Sequence, residues 1–247
     1  MNMLAGQVAL EVKLFIRRKG ELFWTLVFPV FFMVLFGLIY GEQEWSDQGL
    51  RAIDYILPGI VVMAVMVTGI MSTANGFVEE REKGIYRRLS LTPLKKQALI
   101  GGQILNRYFL ILVQTLILVA IGVLFFKISI TGNYALFWLV LTVGALCFLA
   151  IGFALTGLIR NVKSSTPITM IAFFLLLFLG GVFYPVDIMP GFLQAVSSGL
   201  PSTHLNDALR IVGVEAGGIG DIWVDIVVLG GWTLGCLALS VRFFKWE

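Results

Sequence analysis

The residues best placed to do chemistry lie in one charged stretch, 78–97, with the sequence VEEREKGIYRRLSLTPLKKQ. It holds six of the 18 Lys and Arg residues and three of the 15 carboxylates of the chain. Glu79 and Lys83 are four residues apart, in the order that stabilises a helix. The stretch contains no nucleophile–base pair and no set of metal ligands, so the chemistry it offers is ion pairing and hydrogen bonding. We therefore predict that it docks a partner and does not catalyse a reaction.

Motifs of common enzymes and metal sites are absent from the sequence. There is no G-x-x-x-x-G-K-[ST] phosphate loop to hold ATP, and no H-E-x-x-H, C-x-x-C or G-x-S-x-G. Cys147 and Cys236 lie in apolar runs and are interpreted as small hydrophobic residues. The single histidine, His204, is better explained as a capping or interfacial residue than as a ligand. We predict no catalytic residue, no metal site and no cofactor bound by this chain.

The composition excludes a soluble globular protein. Hydrophobic residues make up 58% of the 247 residues and charged residues only 13%, and the mean hydropathy is +0.93. A soluble domain carries about 25% charged residues, whereas several apolar runs here are long enough to cross a bilayer. The prediction is an all-α polytopic membrane protein, with residues 1–247 forming a single transmembrane domain.

Six apolar runs are predicted to be membrane-spanning helices, at 22–40, 55–77, 107–126, 135–159, 167–183 and 222–241. In residues 1–21, apolar and basic residues recur at helical spacing, which favours a helix lying on the inner membrane surface. The segment 185–221 has no such run. Proline and glycine interrupt it repeatedly, so we predict short re-entrant helices on the outer side, buried in protein.

Local signals predict where three of these helices begin. Pro58 is expected in the first turn of the second span, where a missing N–H has little effect. Thr166 is expected to cap the fifth span, with Pro167 as its first helical residue. In the outer segment, Ser202 or Thr203 is expected to cap an amphipathic helix.

The distribution of positive charge predicts the orientation. If six spans alternate across the bilayer, 15 of the 18 Lys and Arg residues lie on the side of the N-terminus. Only Arg51, Lys127 and Arg210 lie on the other side. Because Lys and Arg are enriched in cytoplasmic loops, both termini and the 78–97 loop are predicted to be cytoplasmic, in a multi-pass protein of the cell membrane.

Four polar residues leave two interpretations open: Ser72, Thr73 and Asn75 toward the inner end of the second span, and Gln114 in the interior of the third. Such groups can line a translocation pathway, or they can hold helices together by hydrogen bonds. No carboxylate lies deep inside a span, which disfavours an ion-coupled carrier, since such carriers need ionisable groups within the membrane. An ion-coupled secondary transporter or channel is nevertheless the alternative function. A non-transporting membrane enzyme or assembly factor has no catalytic residues to support it.

Glycine and proline divide the charged stretch into parts. The helix of the second span is expected to extend into water and to stop at Gly84. A short helix lying across the membrane face is expected from Ile85 to Leu89, and Thr92-Pro93 can begin the next helix. A basic loop bound to anionic lipid would explain the Lys and Arg residues, but not the run of carboxylates or the glycine and proline.

EEREKGIYRRLSLTP resembles the E-x-E-x-G-x-x-x-x-L-x-x-x-P pattern of ABC type-2 permeases, the membrane subunits of drug, polysaccharide and lipid exporters. The residues that match are Glu80, Glu82, Gly84, Leu89 and Pro93. The stretch between spans five and six resembles the corresponding segment of that family through Gly181, Pro185, Met189, Pro190, Pro201 and Arg210. The six-span layout and the basic N-terminal helix agree as well, so the resemblance covers nearly the whole chain.

The resemblance implies a permease subunit, without enzymatic activity, of an exporter in a prokaryotic inner (plasma) membrane. Its partners would be a separate ABC ATPase, which binds ATP and Mg, a second permease copy or paralogue, and membrane lipids, with no nucleic acid. The cargo would be an amphipathic drug, antibiotic, lipid or glycolipid. The ATPase would contact a coupling segment formed by Glu79, Glu80, Glu82, Lys83, Gly84, Ile85, Tyr86, Arg87, Arg88, Leu89 and Pro93. The outer re-entrant residues would be Gly181, Pro185, Pro190, Pro201 and Arg210.

Overall fold

The fold was analysed in a computed structural model that describes residues 19–40, 52–86, 96–128, 132–184 and 186–243. Every regular element in these ranges is helical, and six helices are long and apolar enough to cross a membrane. The prediction of an all-α membrane protein with six spans is confirmed. Several predicted features lie outside the described residues: most of the helix at 1–21, and Arg87, Arg88, Leu89, Pro93 and Pro185.

Eight helices are numbered here in chain order. α1 covers residues 19–40 with a π-helical turn at Phe23–Val27, and α2 covers Ala52–Glu82 with a π-helical turn at Val67–Ser72. The others are α3 (Lys96–Phe126), α4 (Tyr134–Leu158), α5 (Val162–Leu179), α6 (Gly191–Ser197), α7 (Pro201–Gly213) and α8 (Trp223–Phe243). The six spans are α1 to α5 and α8.

Helix α2 lies at the centre of the bundle. In its most apolar window 94% of the residues are buried, against 22% in the corresponding windows of α1 and α8. The side chains of residues 60–66, which point in all directions around the helix, are completely buried. A helix that is apolar on every side needs such surroundings, whereas the outward faces of α1, α3 and α8 carry exposed apolar side chains suited to lipid.

Glycine allows α2 and α4 to approach each other closely. A Cβ atom on Gly152 of α4 would lie 1.9 Å from the carbonyl oxygen of Gly69 in the π-helical turn of α2. A Cβ atom on Gly69 would lie 2.6 Å from the Cβ of Phe148. Small residues at helix contacts are the usual means of close packing in a membrane, so these two glycines set the distance between the two most buried spans.

The segment between α5 and α8 packs back into the bundle through α7. The side chains of Leu205, Leu209 and Val212 are fully buried along one face of α7. Leu205 contacts α4 at Gly144, where an added Cβ would lie 2.4 Å from the leucine side chain. Gly144 is ~15 Å along the axis of α4 from its first residue, at 1.5 Å per residue. Helix α7 therefore reaches well inside the end of the bundle.

The predicted position of Pro58 is wrong. Helix α2 begins by Ala52, so Pro58 lies inside the helix and not in its first turn. The first turn instead contains Asp54, whose carboxylate is stabilised by the free N–H groups at a helix N-terminus. From the sequence, the charge of Asp54 indicates a loop residue. In the structure Asp54 is buried at the start of the helix.

The predicted cap of α5 is wrong as well. The helix begins at Val162, and Pro167 lies inside it. Asn161 is the capping residue, because its Oδ1 accepts the N–H of Ser164 at 2.9 Å. Asparagine is as good a cap as threonine, so the polar turn that seemed to separate the spans is the first turn of the helix, and Thr166 is an ordinary helical residue.

Neither Ser202 nor Thr203 caps α7. Pro201 is the first helical residue, and the residue before it makes no side-chain capping bond. The Ser202 hydroxyl donates to the carbonyl of Leu176 at 2.9 Å, and the Thr203 hydroxyl donates to the carbonyl of Ser197 at 2.8 Å. Both hydroxyls connect α7 to neighbouring helices, which local sequence signals do not reveal.

Candidate coupling site

The predicted coupling segment begins where α2 ends, next to the C-terminus of α4 and the N-termini of α1, α3 and α5; this side of the bundle is called the basic side. The N–H of Lys83 donates to the carbonyl of Glu79, and the N–H of Gly84 donates to the carbonyl of Arg81, both at 3.0 Å. Gly84 has a φ of +67°, a left-handed conformation that glycine adopts without strain. The helix stop at Gly84 and the ion pair between Lys83 and Glu79 agree with the sequence prediction.

Glu80 connects the end of α2 to the beginning of α3. The Tyr86 hydroxyl donates to Glu80 Oε2 at 2.9 Å, and Gln103 Nε2 of α3 donates to the same oxygen. The ring of Tyr86 is buried against that of Phe77, with 6.4 Å between ring centroids. Burial, and next the charge of Glu80, raise the pKa of Tyr86 far above its ordinary value of 10.0. The tyrosine therefore stays protonated and remains a hydrogen-bond donor.

Arg81 and Glu82 contact the turn between α4 and α5. The Arg81 guanidinium donates to the carbonyl of Thr156 at 3.2 Å and to that of Ile159. These carbonyls lie at the end of α4, where no further helical N–H is available. The Glu82 carboxylate accepts the N–H of Val162, the first residue of α5, at 2.8 Å. One short turn thus receives a positive group at a helix C-terminus and a negative group at a helix N-terminus, as the helix dipoles favour.

Two arginines near this site were not assigned to it from the sequence. Arg81 follows Ala74 and Val78 at helical spacing, on the face that packs against the end of α4, and that spacing could have identified it. Arg107 of α3 donates to the carbonyl of Ser72 at 3.2 Å, and its guanidinium lies 5.1 Å from the ring centroid of Phe77. Arg107 is therefore buried between α2 and α3, whereas its sequence position at the start of a span predicts a charged residue at the membrane surface.

The four predicted pathway residues separate into two groups. Gln114 donates to the carbonyl of Ala64 at 2.7 Å and accepts the hydroxyl of Thr68 at 2.9 Å, and it is buried between α3 and α2. Thr73 is also buried, with its hydroxyl donated to the carbonyl of Thr68 at 2.9 Å. For Gln114 the structure favours the helix-contact interpretation over the pathway, whereas the Thr73 hydroxyl bonds within α2 itself.

Ser72 and Asn75, by contrast, line a cavity of about 350 Å³ at the basic side, between α1, α2 and α5. Asn75 Oδ1 accepts the hydroxyls of Ser165 and, at 3.4 Å, Thr169. The amide thus links α2 to α5 and also borders open space.

The predicted outer residues lie at the opposite end of the bundle. Gly181 has a φ of +63°, and its carbonyl accepts the amide of Asn206 in α7 at 3.0 Å. Pro190 precedes α6, and Pro201 begins α7. Arg210 lies 3.5 Å from Asp207, one turn earlier in α7.

His204 is held between α7, α8 and the turn after α6. Its Nδ1 lies 2.6 Å from Asp225 Oδ1, and its Nε2 lies 2.9 Å from the carbonyl of Ser198. The hydrogen bond to Asp225 is the main reason that the pKa of His204 is raised. Within the described ranges, no three His, Cys, Asp or Glu residues are grouped so that they could hold a metal ion, and His204 acts here as a link between helices.

Comparison with known proteins identifies the family. Residues 8–213 match the sequence model of the ABC-2 type transporter family. YvfS of Bacillus subtilis (strain 168), named as a transport permease, is 27% identical over 97% of this chain and 96% of its own length. The inner membrane transport permease YadH of Escherichia coli (strain K12) is 27% identical over 89% of this chain and 84% of its length. The daunorubicin resistance ABC transporter permease protein DrrB1 of Streptomyces coeruleorubidus is 25% identical over 91% of this chain and 80% of its length. The chain therefore belongs to the ABC-2 type transporter family of membrane permeases.

Proposed function

We propose that the chain is the membrane subunit of an ATP-driven exporter and forms the translocation path for an amphipathic substrate. A separate ABC ATPase would hold the coupling segment, which begins at Glu79, and drive transport through it. The observation that carries this proposal is the set of contacts made by Glu80, Arg81 and Glu82. These contacts join the end of α2 to α3, α4 and α5, so a displacement of the coupling segment is passed to four spans at once.

The distribution of charge supports the assignment of the basic side to the cytoplasm, where an ATPase has access to ATP and Mg. Fifteen of the 18 Lys and Arg residues belong to this side by the predicted topology. The surface offered to the ATPase would include Ile85 and, by the sequence prediction alone, Arg87, Arg88 and Leu89, which lie outside the described residues. A second permease, identical or paralogous, would complete the path, and closure of the ATPase would open and shut the interface between the two permeases.

Two observations support an amphipathic cargo. The cavity at the basic side combines the polar Ser72 and Asn75 with apolar walls that include Val67 and Met71. DrrB1, one of the relatives, is named for daunorubicin resistance. An ion as cargo is disfavoured, because the described spans bury no carboxylate near mid-membrane: the buried Asp54 and Asp225 both lie in first helical turns.

The test is transport in proteoliposomes that contain the permease and the ABC ATPase that co-purifies with it, measured with a fluorescent amphipathic dye. Glu82→Ala removes the carboxylate that accepts the Val162 N–H, and Gly84→Val strains the left-handed turn. We expect both variants to be expressed normally and to lose ATP-driven transport. Gly102→Ala is the matched control, since Gly102 is exposed on α3 with no atom within 4 Å of an added Cβ.

Two results would overturn the proposal. Normal ATP-driven transport by a variant with both Glu82 and Gly84 replaced would remove the coupling role of this segment. Transport by the permease alone, driven by an ion gradient without any ATPase, would instead establish an ion-coupled transporter or channel.

A further inference from the structure

His204 lies where α7, α8 and the turn between α6 and α7 meet, at the end of the bundle opposite the basic side. Its Nδ1 lies 2.6 Å from Asp225 Oδ1 of α8, and its Nε2 lies 2.9 Å from the carbonyl of Ser198 in the turn. The indole N–H of Trp232 in α8 donates to the carbonyl of Gly199 in the same turn at 3.0 Å. This turn therefore connects α6 both to α7 and to α8.

The two contacts of the His204 ring depend on its protonation. An ionised carboxylate and a backbone carbonyl can only accept hydrogen bonds, so the ring donates to both Asp225 and Ser198 only when both of its nitrogens carry a proton. A neutral ring has one N–H and can keep only one of the two contacts. A bond to a carboxylate is stronger than one to a neutral carbonyl, so the neutral ring keeps Asp225, without the charge of an ion pair, and gives up Ser198.

The charges that act on the ring favour the imidazolium. The hydrogen bond to Asp225 raises the pKa of His204 most, burial opposes it, and the Ser198 carbonyl and the charge of Asp207, one turn further along α7, raise the pKa as well. Asp207 is itself 3.5 Å from Arg210. Neither α6 with its following turn nor α4 carries a charged residue. The other charged residues described at this end of the bundle are three carboxylates and one ammonium: Asp54, Glu215, Asp221 and Lys127.

Helix α7 is held in the bundle by contacts that do not titrate. Leu205 is fully buried, and the Ser202 hydroxyl and the Asn206 amide donate to carbonyls at the end of α5 and just after it, at 2.9 and 3.0 Å. The turn after α6 has such a contact as well, from the Thr203 hydroxyl to the carbonyl of residue 197. Loss of the His204 proton therefore leaves α7 in place and weakens, without abolishing, the attachment of α6 and its turn.

We propose that His204 is a proton-sensitive latch, which holds residues 191–200 against α7 and α8 when it is protonated and loosens them when it is neutral. The side chains of His204 and Asp225 are 13% and 12% exposed, so protons from the solution can reach the ring. Because the pKa of His204 is raised, the latch is closed below the ordinary value of 6.5 and loosens as the pH rises through the folded pKa. In the proposed orientation this end faces outward, so the acidity outside the cell would control how readily α6 opens.

The test is hydrogen–deuterium exchange of the full-length permease, without ATPase, in phosphatidylcholine nanodiscs from pH ~5.5 to ~9. Labelling times are scaled so that an unstructured amide exchanges equally at each pH. The readout is the N–H groups of residues 198–200, which donate to carbonyls of α6. Their protection should fall about three- to fivefold as the pH rises, because a charged donor bonds more strongly than a neutral one and this site is partly exposed. The buried residues 60–66 of α2 are the internal reference and should not change.

Three variants connect this change to the latch. His204 is the only histidine of the chain, and His204→Gln, which does not titrate, should give low protection that is the same at every pH. Asp225→Asn keeps a side-chain acceptor beside the ring but removes the charge, so it should lower the pH at which protection falls. Asp207→Asn is the matched control. It removes a carboxylate whose side chain is 42% exposed and should lower that pH by less.

Protection of residues 198–200 that does not change with pH in the wild-type protein would overturn the inference. So would a pH-dependent change that persists in His204→Gln, or a larger shift in Asp207→Asn than in Asp225→Asn. If His204→Gln fails to fold, the wild-type titration and the order of the two aspartate variants still decide. The measurement needs neither cargo nor ATPase, so its result is independent of the proposed function, and a failure of ATP-driven transport would leave the latch standing.

Discussion

Replacing Arg81 by glutamine should weaken the attachment of α2 to the end of α4. The guanidinium donates to the carbonyls of Thr156 and Ile159, and a buried hydrogen bond from a charged group contributes ~1.5–3 kcal/mol. Because Arg81 is only partly buried, we take about half of that for each of the two bonds, or about 2 kcal/mol in total. For a chain of this length, that lowers the midpoint of thermal unfolding by about 4–8 °C. Cys147 and Cys236 are both buried, so a thiol-reactive fluorescent dye reports unfolding directly.

The control for Arg81→Gln is Lys83→Gln, which removes a positive charge two residues away. The Lys83 side chain is 59% exposed, and its ion pair with Glu79 lies within one helix, so its replacement should change stability by no more than about 0.5 kcal/mol. Arg81→Lys should be intermediate, because an ammonium cannot reproduce the two-pronged geometry of a guanidinium. ATP-driven transport should fall in the same order. Equal unfolding midpoints for Arg81→Gln and Lys83→Gln would refute the reasoning.

Three further predictions use the same unfolding assay. Gly152→Ala places a Cβ 1.9 Å from a backbone oxygen of α2 and should cost about 1–3 kcal/mol, whereas Gly235→Ala, with open space around it, should not. Gln114→Leu leaves the Ala64 carbonyl and the Thr68 hydroxyl without their side-chain partner. It should destabilise the fold by about 1–3 kcal/mol without altering which dyes are transported. The pKa of His204 is raised in the folded protein. The stabilisation from its bond to Asp225 is therefore fully present below the ordinary pKa of 6.5 and is lost as the pH rises through the folded pKa. His204→Gln should remove this pH dependence of the unfolding midpoint.

The membrane-spanning helices could be predicted from the sequence because they depend on local composition alone. An apolar run of ~20 residues specifies a span wherever it occurs. The stop at Gly84 was predictable for a related reason, since its left-handed conformation requires a glycine at that one position. The pair between Glu79 and Lys83 follows from a spacing of one helical turn. Each of these features needs only a few neighbouring residues.

Contacts between distant parts of the chain could not be predicted in this way. Arg81 meets a carbonyl 78 residues later, and Glu82 meets an N–H 80 residues later. No periodicity in a single sequence encodes such a pairing. The same limit applies to Asn75 and Gln114, which look alike as polar residues in apolar helices. Only the packing distinguishes Gln114, enclosed between two helices, from Asn75, which borders a cavity.

The arrangement around Gly84 is compatible with the proposed transmission of force through a turn that ends a helix. Successive helical residues point ~100° apart, so Glu80, Arg81 and Glu82 reach three different neighbours from a single turn. A glycine turn alone would bend when the segment beyond it is pushed. Here Tyr86, which follows the turn, donates its hydroxyl to Glu80, which precedes it. This hydrogen bond connects the two sides of the turn and restricts bending. Glu80 is also bonded to α3. Under the proposed coupling role, displacement of the coupling segment would therefore move α2 and α3 together, because bending at Gly84 would first break the partly buried hydrogen bond between Tyr86 and Glu80.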